Sequence, residues 1–322
     1  MDACRAEGLR VGFYYSLIDW HHPDFTVDHT HPLRQDNWPN WDEAELARVN
    51  SGRDMAQYRR YLFAQTKELL TRYGKIDIIW YDFTTPYKYG KNWKDWDAIE
   101  LLRQTKRLQP GIIVNDRMGL METEDGWDFL SPEQISVTEQ PSWEGRPMPW
   151  ETCQTFSGSW GYARDEYTWK EPQQILAMLV QTVAFNGNLI LNVGPTGRGE
   201  FDERASSRLE AVGRWMHFNA RSIYGCGKAP DEFKAPPGCA LTFSPSTKRL
   251  YVHILEYPLK RLPIEFADRV AYAQFLHDGS EVKVAEGWQP SIKGSSVTPE
   301  GFVLPVRKPN VDIPVVEVFL KD

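Results

Sequence analysis

The stretch Ile76-Asp77-Ile78-Ile79-Trp80-Tyr81-Asp82 follows a Gly74-Lys75 turn, and its reading decides the fold. Five of its seven residues are β-branched or aromatic and the run is too short for an ordinary helix, so it reads as a buried strand. Side chains alternate along a strand, which puts Trp80 and Asp82 on one face. In α/β proteins the carboxyl ends of parallel strands face the crevice where ligands bind. Asp82 is therefore the first candidate for chemistry, a nucleophile with Trp80 as a wall of its pocket.

Upstream, Tyr58, Tyr61, Leu62, Leu69 and Leu70 recur at helical spacing and predict a helix over 55–73, ended by Gly74. Before it come a helix tail over 1–7, a stop at Gly8 and a strand over 9–16. A loop from Asp19 to about Asn50, rich in His, Pro, Trp and Asp, reads as a flexible substrate rim, since loops this long in a compact domain carry function or disorder. Downstream, a loop over 84–92 leads to a helix over 96–108, a Gln109-Pro110-Gly111 turn and a strand over 112–117. A loop over 119–133, a strand over 135–139 and a polar loop containing Pro149-Trp150-Glu151-Thr152-Cys153 follow. A helix over 172–186, a strand over 188–195 and a helix over 203–220 complete the series. Strands alternating with helices, all with polar carboxyl ends, predict a parallel sheet closed as a (β/α) barrel. After Gly225 the pattern changes to short alternating segments over 239–243, 250–255, 270–275, 281–284, 302–306 and 315–320. That pattern predicts an antiparallel β-sandwich, so the domain boundary is expected between residues 224 and 225.

Composition bounds what such a chain does. It has 322 residues, 41% hydrophobic and 25% charged, enough for one large domain and a smaller one. A formal net charge of -7 without a Lys or Arg run gives no electrostatic grip on nucleic acid or an anionic membrane. No apolar run is long enough to cross a bilayer, and residues 1–8 contain no signal-peptide core. The 13 Trp and 14 Tyr suit stacking on sugar rings as well as core filling. Cys4, Cys153, Cys226 and Cys239 form no C-x-x-C pair, which leaves a single Cys226–Cys239 disulfide open.

Carboxylates in the loops after different strands are the equipment of glycoside hydrolysis, which needs a nucleophile or base and a proton donor across the scissile bond. With Asp82 as the first, Asp128, Glu133, Glu139, Glu144 and Glu151 are candidates for the second, and spacing does not choose among them. The cluster His21, His22, Asp24, Asp28, His29 and His31 invites a metal, but adjacent histidines diverge on regular structure and no second ligand pair recurs downstream. No metal or other cofactor is expected. Gly194-Pro195-Thr196-Gly197-Arg198-Gly199 lacks the Lys-Ser/Thr of a phosphate loop and reads as a turn. Arg117, at a strand end, needs a carboxylate or a sugar hydroxyl as partner.

Five stretches together resemble the α-L-fucosidases of glycoside hydrolase family 29 up to about Tyr224. They are Gly8-Leu9-Arg10-Val11-Gly12-Phe13-Tyr14-Tyr15-Ser16 with Asp19-Trp20, Ile78-Ile79-Trp80-Tyr81-Asp82, Val114-Asn115-Asp116-Arg117, Trp150-Glu151-Thr152-Cys153 with Ser159-Trp160-Gly161-Tyr162, and Asn188-Leu189-Ile190-Leu191-Asn192-Val193-Gly194-Pro195. The resemblance implies a (β/α)8-type TIM barrel followed by a β-sandwich, and a retaining exo-α-L-fucosidase acting on fucosylated oligosaccharides or glycoconjugates. Asp82 matches the family's nucleophile. Its partner acid, expected about 5 to 5.5 Å away, is Glu133 by the likeness of Asp128-Phe129-Leu130-Ser131-Pro132-Glu133 to the family's acid/base loop, with Glu151 second and Asp128 third. Tyr14, Trp80, Arg117 and Trp160 resemble residues lining the fucose pocket.

The sequence departs from the family's pattern in two places. The barrel's first two strands, and the Lys-His-His-Asp-Gly-Phe motif on the second, have no counterpart, so the chain is expected to be an N-terminally truncated member. Its competing reading is a non-catalytic sugar-binding remnant. Phe83 also stands where Gly often follows the nucleophile.

Overall fold

The computed structural model describes residues 1–28, 30–33, 43–84, 90–121, 126–286 and 300–321. They form two compact units, Met1–Ser131 and Pro132–Asp322. The boundary expected at 224/225 thus lies inside the second unit.

In the first unit, α1 (Asp2–Ala6), β1 (Gly12–Ser16), α2 (Glu43–Val49), α3 (Met55–Arg72), β2 (Ile78–Asp82), α4 (Trp93–Trp96), α5 (Ala98–Leu108) and β3 (Ile113–Val114) follow one another. The strands form a parallel sheet in the order β1-β2-β3, with Tyr14 opposite Trp80 and Ser16 opposite Asp82. Parallel neighbours need long crossovers, and α3 and α5 supply them. Ile79 and Tyr81 are fully buried in one core with Leu62 and Leu70 of α3 and Leu101 of α5, which leaves Trp80 and Asp82 on the opposite face. Gly12 is required by the register, because a Cβ there would lie 2.1 Å from Ile78 Cγ2. The β2–β3 ladder stops after two pairs. Asn115 then takes its place, its amide oxygen accepting from Tyr81 N at 3.0 Å and its Nδ2 donating to Tyr81 O at 2.9 Å. Asn115 itself makes a parallel bridge to Phe129.

The described beginning of the segment after β1, expected as part of a flexible rim, is packed into the first unit. Phe25 is fully buried, edge-on to Tyr58 at 5.0 Å and stacked near Trp96 at 6.3 Å. Lys91 Nζ donates to Asp28 at 2.7 Å and to Thr26 O at 2.9 Å, an ion pair almost wholly out of water. Burial of Phe25 and Val27 outweighs the polar composition that suggested mobility. Residue 29 and residues 34–42 lie outside the described residues.

The second unit opens irregularly. The strand expected over 135–139 is absent: Ile135 is exposed, Gln134 takes a positive φ of 53°, and a single parallel bridge joins Glu133 to Cys153. A short antiparallel hairpin, β4 (Ser142–Trp143) and β5 (Arg146–Pro147), follows. The polar loop expected around Trp150 is instead a strand, β6 (Trp150–Thr155), parallel to β7 (Gly187–Asn192) through the crossover helix α6 (Pro172–Ala184). Its Thr152, Gln154 and Thr155 are buried polar residues, which hide a strand from any reading by hydropathy. After α7 (Glu203–Asn219) come β8 (Gly227–Lys228), β9 (Cys239–Ser244), β10 (Arg249–Ile254), β11 (Arg261–Pro263), β12 (Val270–Phe275), β13 (Val284–Ala285), β14 (Gly301–Val303) and β15 (Val315–Leu320). They make two antiparallel sheets, β12-β15-β10-β9-β8 and β11-β14-β13. Leu250, Val252, Val316 and Val318 of one and Leu262 and Phe302 of the other share a core, as expected of a sandwich. Tyr251 and Val315 on the larger sheet pack with Leu176 and Val180 of α6 and Trp215 of α7. The protein is thus mixed α/β, with parallel strands in both units. All four cysteines are free, so the possible Cys226–Cys239 disulfide does not form.

Candidate active site

Asp82 ends β2, and three side chains from β1, β2 and the segment after β3 converge on it. Tyr14 donates its hydroxyl to Oδ2 at 2.6 Å, across from the strand register that sets Tyr14 beside Trp80. Arg117 Nη1 reaches Oδ1 at 3.4 Å. Trp80 stacks on Tyr14 with centroids 5.8 Å apart and planes 22° apart, and the Arg117 guanidinium lies over the Trp80 ring at 4.9 Å. The carboxylate is half-buried, held by a phenol and a cation, and walled by aromatic rings. Period-two alternation and the parallel register produce this grouping, so the strand reading carried most of it.

A second group fixes Arg117. Its Nε donates to Ser131 Oγ at 3.0 Å and to Ser131 O at 3.2 Å, and its Nη2 donates to Ser131 O at 2.7 Å. Ser131 Oγ in turn donates to Asp116 Oδ1. Burial pushes the Asp116 carboxyl above its ordinary range, against the pull of Ser131 and Arg117. Sequence reasoning found Arg117 but not Ser131 or Asp116, because nothing in their spacing ties a loop serine to a strand-end arginine.

The other candidates stand in settings of their own. Asp128 accepts from Lys106 Nζ at 2.5 Å and from Val114 N at 2.7 Å, which commits it to holding α5 and β3. In the second unit, Glu133 is exposed beside its bridge to Cys153, and Glu151 is half-buried on β6. Trp160 is 43% exposed, and its carbonyl accepts from Asn192 Nδ2 at 2.6 Å. Glu139 and Glu144 are exposed, Glu144 in the hairpin turn at a φ of 49°. The histidine cluster is taken up locally: His22 packs against Tyr61 at 4.5 Å, and His31 Nε2 donates to Trp20 O at 3.1 Å. Among the described residues no group of three His, Cys, Asp or Glu converges as metal ligands. The turn expected at 194–199 closes through Gly199 N donating to Thr196 O.

A carboxylate steadied by a phenol and a guanidinium, with aromatic walls, thus stands at the end of a parallel strand in an α/β protein. The model of the alpha-L-fucosidase family matches residues 1–221. The chain belongs to that family. It is 30% identical to bovine tissue alpha-L-fucosidase over 230 residues, a match covering 69% of the chain and 43% of the relative. The match spans about half the length of the curated relatives, 43% of one and 50% of another. Alpha-L-fucosidase isoenzyme 1 from Paenibacillus thiaminolyticus superposes with a TM-score of 0.83 at 36% identity, over all of this chain and 74% of that one. A bacterial fucosidase crystallised with a phenyltriazole-bearing dihydroxy-methylpyrrolidine inhibitor shares the fold, with a TM-score of 0.72 at 23% identity, over 99% of this chain and 68% of that one.

Proposed function

We propose that the chain carries the catalytic apparatus of a retaining exo-α-L-fucosidase that removes terminal α-L-fucose from fucosylated glycans, built on a (β/α)8-type barrel followed by the β-sandwich. The observation that carries this reading is the setting of Asp82: one oxygen on the Tyr14 hydroxyl, the other toward Arg117, and Trp80 as an apolar wall. Parallel strands in both units support the barrel. In the first step Asp82 attacks the anomeric carbon while Glu133 gives its proton to the glycosidic oxygen. The bond to the leaving group breaks and a fucosyl ester of Asp82 forms. Water then attacks the same carbon as Glu133 takes its proton, and fucose leaves with both carboxyls restored. Arg117 sets a positive charge beside one of the carboxylate oxygens. Glu133 is the proposed acid/base, Glu151 the alternative, and Trp160 a further wall for the sugar.

Replacing Asp82 by Ala should lower turnover of an aryl α-L-fucoside roughly a thousandfold or more, the scale seen when a nucleophile is deleted. Azide should restore activity with a β-fucosyl azide as product, because a small nucleophile fills the vacated face. Near-wild-type rates for that variant would sink the assignment. In the same assay Glu133→Ala should spare substrates with good leaving groups and slow those with poor ones; equal losses would move the acid role to Glu151.

A further inference from the structure

The residue after Asp82 is Phe83, whose backbone lies in the left-handed region at a φ of 74°. A residue with a Cβ enters that region at a cost that glycine escapes, and such outliers persist where their surroundings impose them, often at functional sites. The Phe83 ring is 44% exposed and meets Trp20, 39% exposed, edge-on with centroids 6.2 Å apart. Trp20 is firmly held. Its carbonyl accepts from His31 Nε2 at 3.1 Å, and its ring packs edge-on against the His31 ring at 6.4 Å. His31 is itself buried and stacked on Phe25, inside the loop that the Lys91–Asp28 pair clamps. Leu17 N donates to Asp82 O at 3.0 Å, which keeps the start of this loop beside the end of β2. The result is a half-open aromatic edge, packed on its inner side, that begins one residue past the carboxylate. Trp80 and Tyr14 wall Asp82 from the strand face, so a fucosyl ring at Asp82 belongs against them, which leaves the exposed Phe83 ring, next in the chain, for what that sugar carries.

We propose that Phe83 and Trp20 form the subsite for the leaving group and select fucosides whose next residue is a sugar ring with an apolar face. Aromatic side chains bury such faces well, and a pre-fixed pair loses little freedom in doing so. The strain at Phe83 is then retained because glycine, which would relax it, offers no ring. This inference rests on the fucosidase reading.

The test is calorimetric and needs no turnover. The full chain is titrated with three ligands: the bare dihydroxy-methylpyrrolidine, its phenyltriazole derivative, and a derivative carrying a pyranose in place of the phenyl. Wild type should bind both extended ligands at least tenfold more tightly than the bare one. In Phe83→Gly and Trp20→Ala that gain should shrink to threefold or less. Phe83→Gly should also raise the thermal midpoint by about 2 °C, since it relieves the strained backbone. Variants that keep the tenfold gain would overturn the proposal, as would a gain for phenyl without one for the pyranose. Failure of wild type to bind even the bare pyrrolidine would reject the fucose site itself, a result distinct from a bound core with no gain on extension.

Discussion

Three hydrogen bonds from Arg117 to Ser131 set the direction of its guanidinium, and Asp82 feels the consequence. With Nε and Nη2 held on Ser131, Nη1 is the edge presented to Asp82, and the flat face rests over Trp80. Ser131 is thus a positioning residue, anchored in turn on Asp116. Ser131→Ala keeps the two bonds to the Ser131 carbonyl but removes the hydroxyl that links Arg117 Nε to Asp116, and should lower kcat of fucoside hydrolysis about tenfold, equivalent to ~1.4 kcal/mol, with KM changed far less. Ser131→Thr keeps the hydroxyl and should restore most of the rate. An unchanged kcat in the alanine variant, or no rescue by threonine, would remove Ser131 from this role. None of this was legible in the sequence, where Asp116 and Ser131 stand 15 residues apart without a periodic relation.

At the scale of elements, legibility followed hydropathy. β2 was readable because Ile78 to Tyr81 are apolar whichever way they face, and the helices before and after it are punctuated by Gly74 and by Pro110-Gly111. β6 was missed because its buried face is built from Thr152 and Gln154, with Gln154 Nε2 donating to Ile135 O at 3.1 Å and to Thr152 Oγ1 at 3.1 Å. The expected strand over 135–139 was wrong for the converse reason: isolated apolar residues such as Ile135 and Val137 stand in a segment that pairs only at Glu133. β3 is shorter than expected because Asn115 substitutes a side-chain amide for the next rungs of the ladder. That substitution makes a testable demand. Asn115→Ala strands the buried N–H and C=O of Tyr81 and should destabilise the protein by about 2–4 kcal/mol, and Asn115→Asp, which sets an uncompensated carboxylate oxygen against the buried Tyr81 carbonyl, should lose at least as much. Chemical denaturation curves check the order; equal stability of all three proteins would show that the ladder closes without the amide.

Over the whole molecule, the two antiparallel sheets were legible from their alternation and turns, while the polar centre of the larger sheet was not. His253 is fully buried on β10, bonded through Nε2 to the Thr242 hydroxyl at 2.9 Å, and burial lowers its pKa from 6.5 to about 3. A histidine whose folded pKa is depressed contributes stability that is present above its unfolded pKa and is lost as pH falls toward the folded value. From 6.5 down to pH 5 this should remove about 2 kcal/mol. His253→Gln keeps a partner for Thr242 and should flatten the acid limb of a stability-versus-pH curve between pH 6.5 and 4; an unchanged slope would place the acid sensitivity elsewhere. The central claim is that Asp82 is the nucleophile, and chemical trapping tests it most directly. Treatment with 2-fluoro-fucosyl fluoride, digestion and mass spectrometry should find one fluorofucosyl group on the peptide spanning residues 76–88, with the ester on Asp82 and none in Asp82→Ala. A label on any other residue, or an unmodified Asp82 in a protein that hydrolyses fucosides, would contradict it.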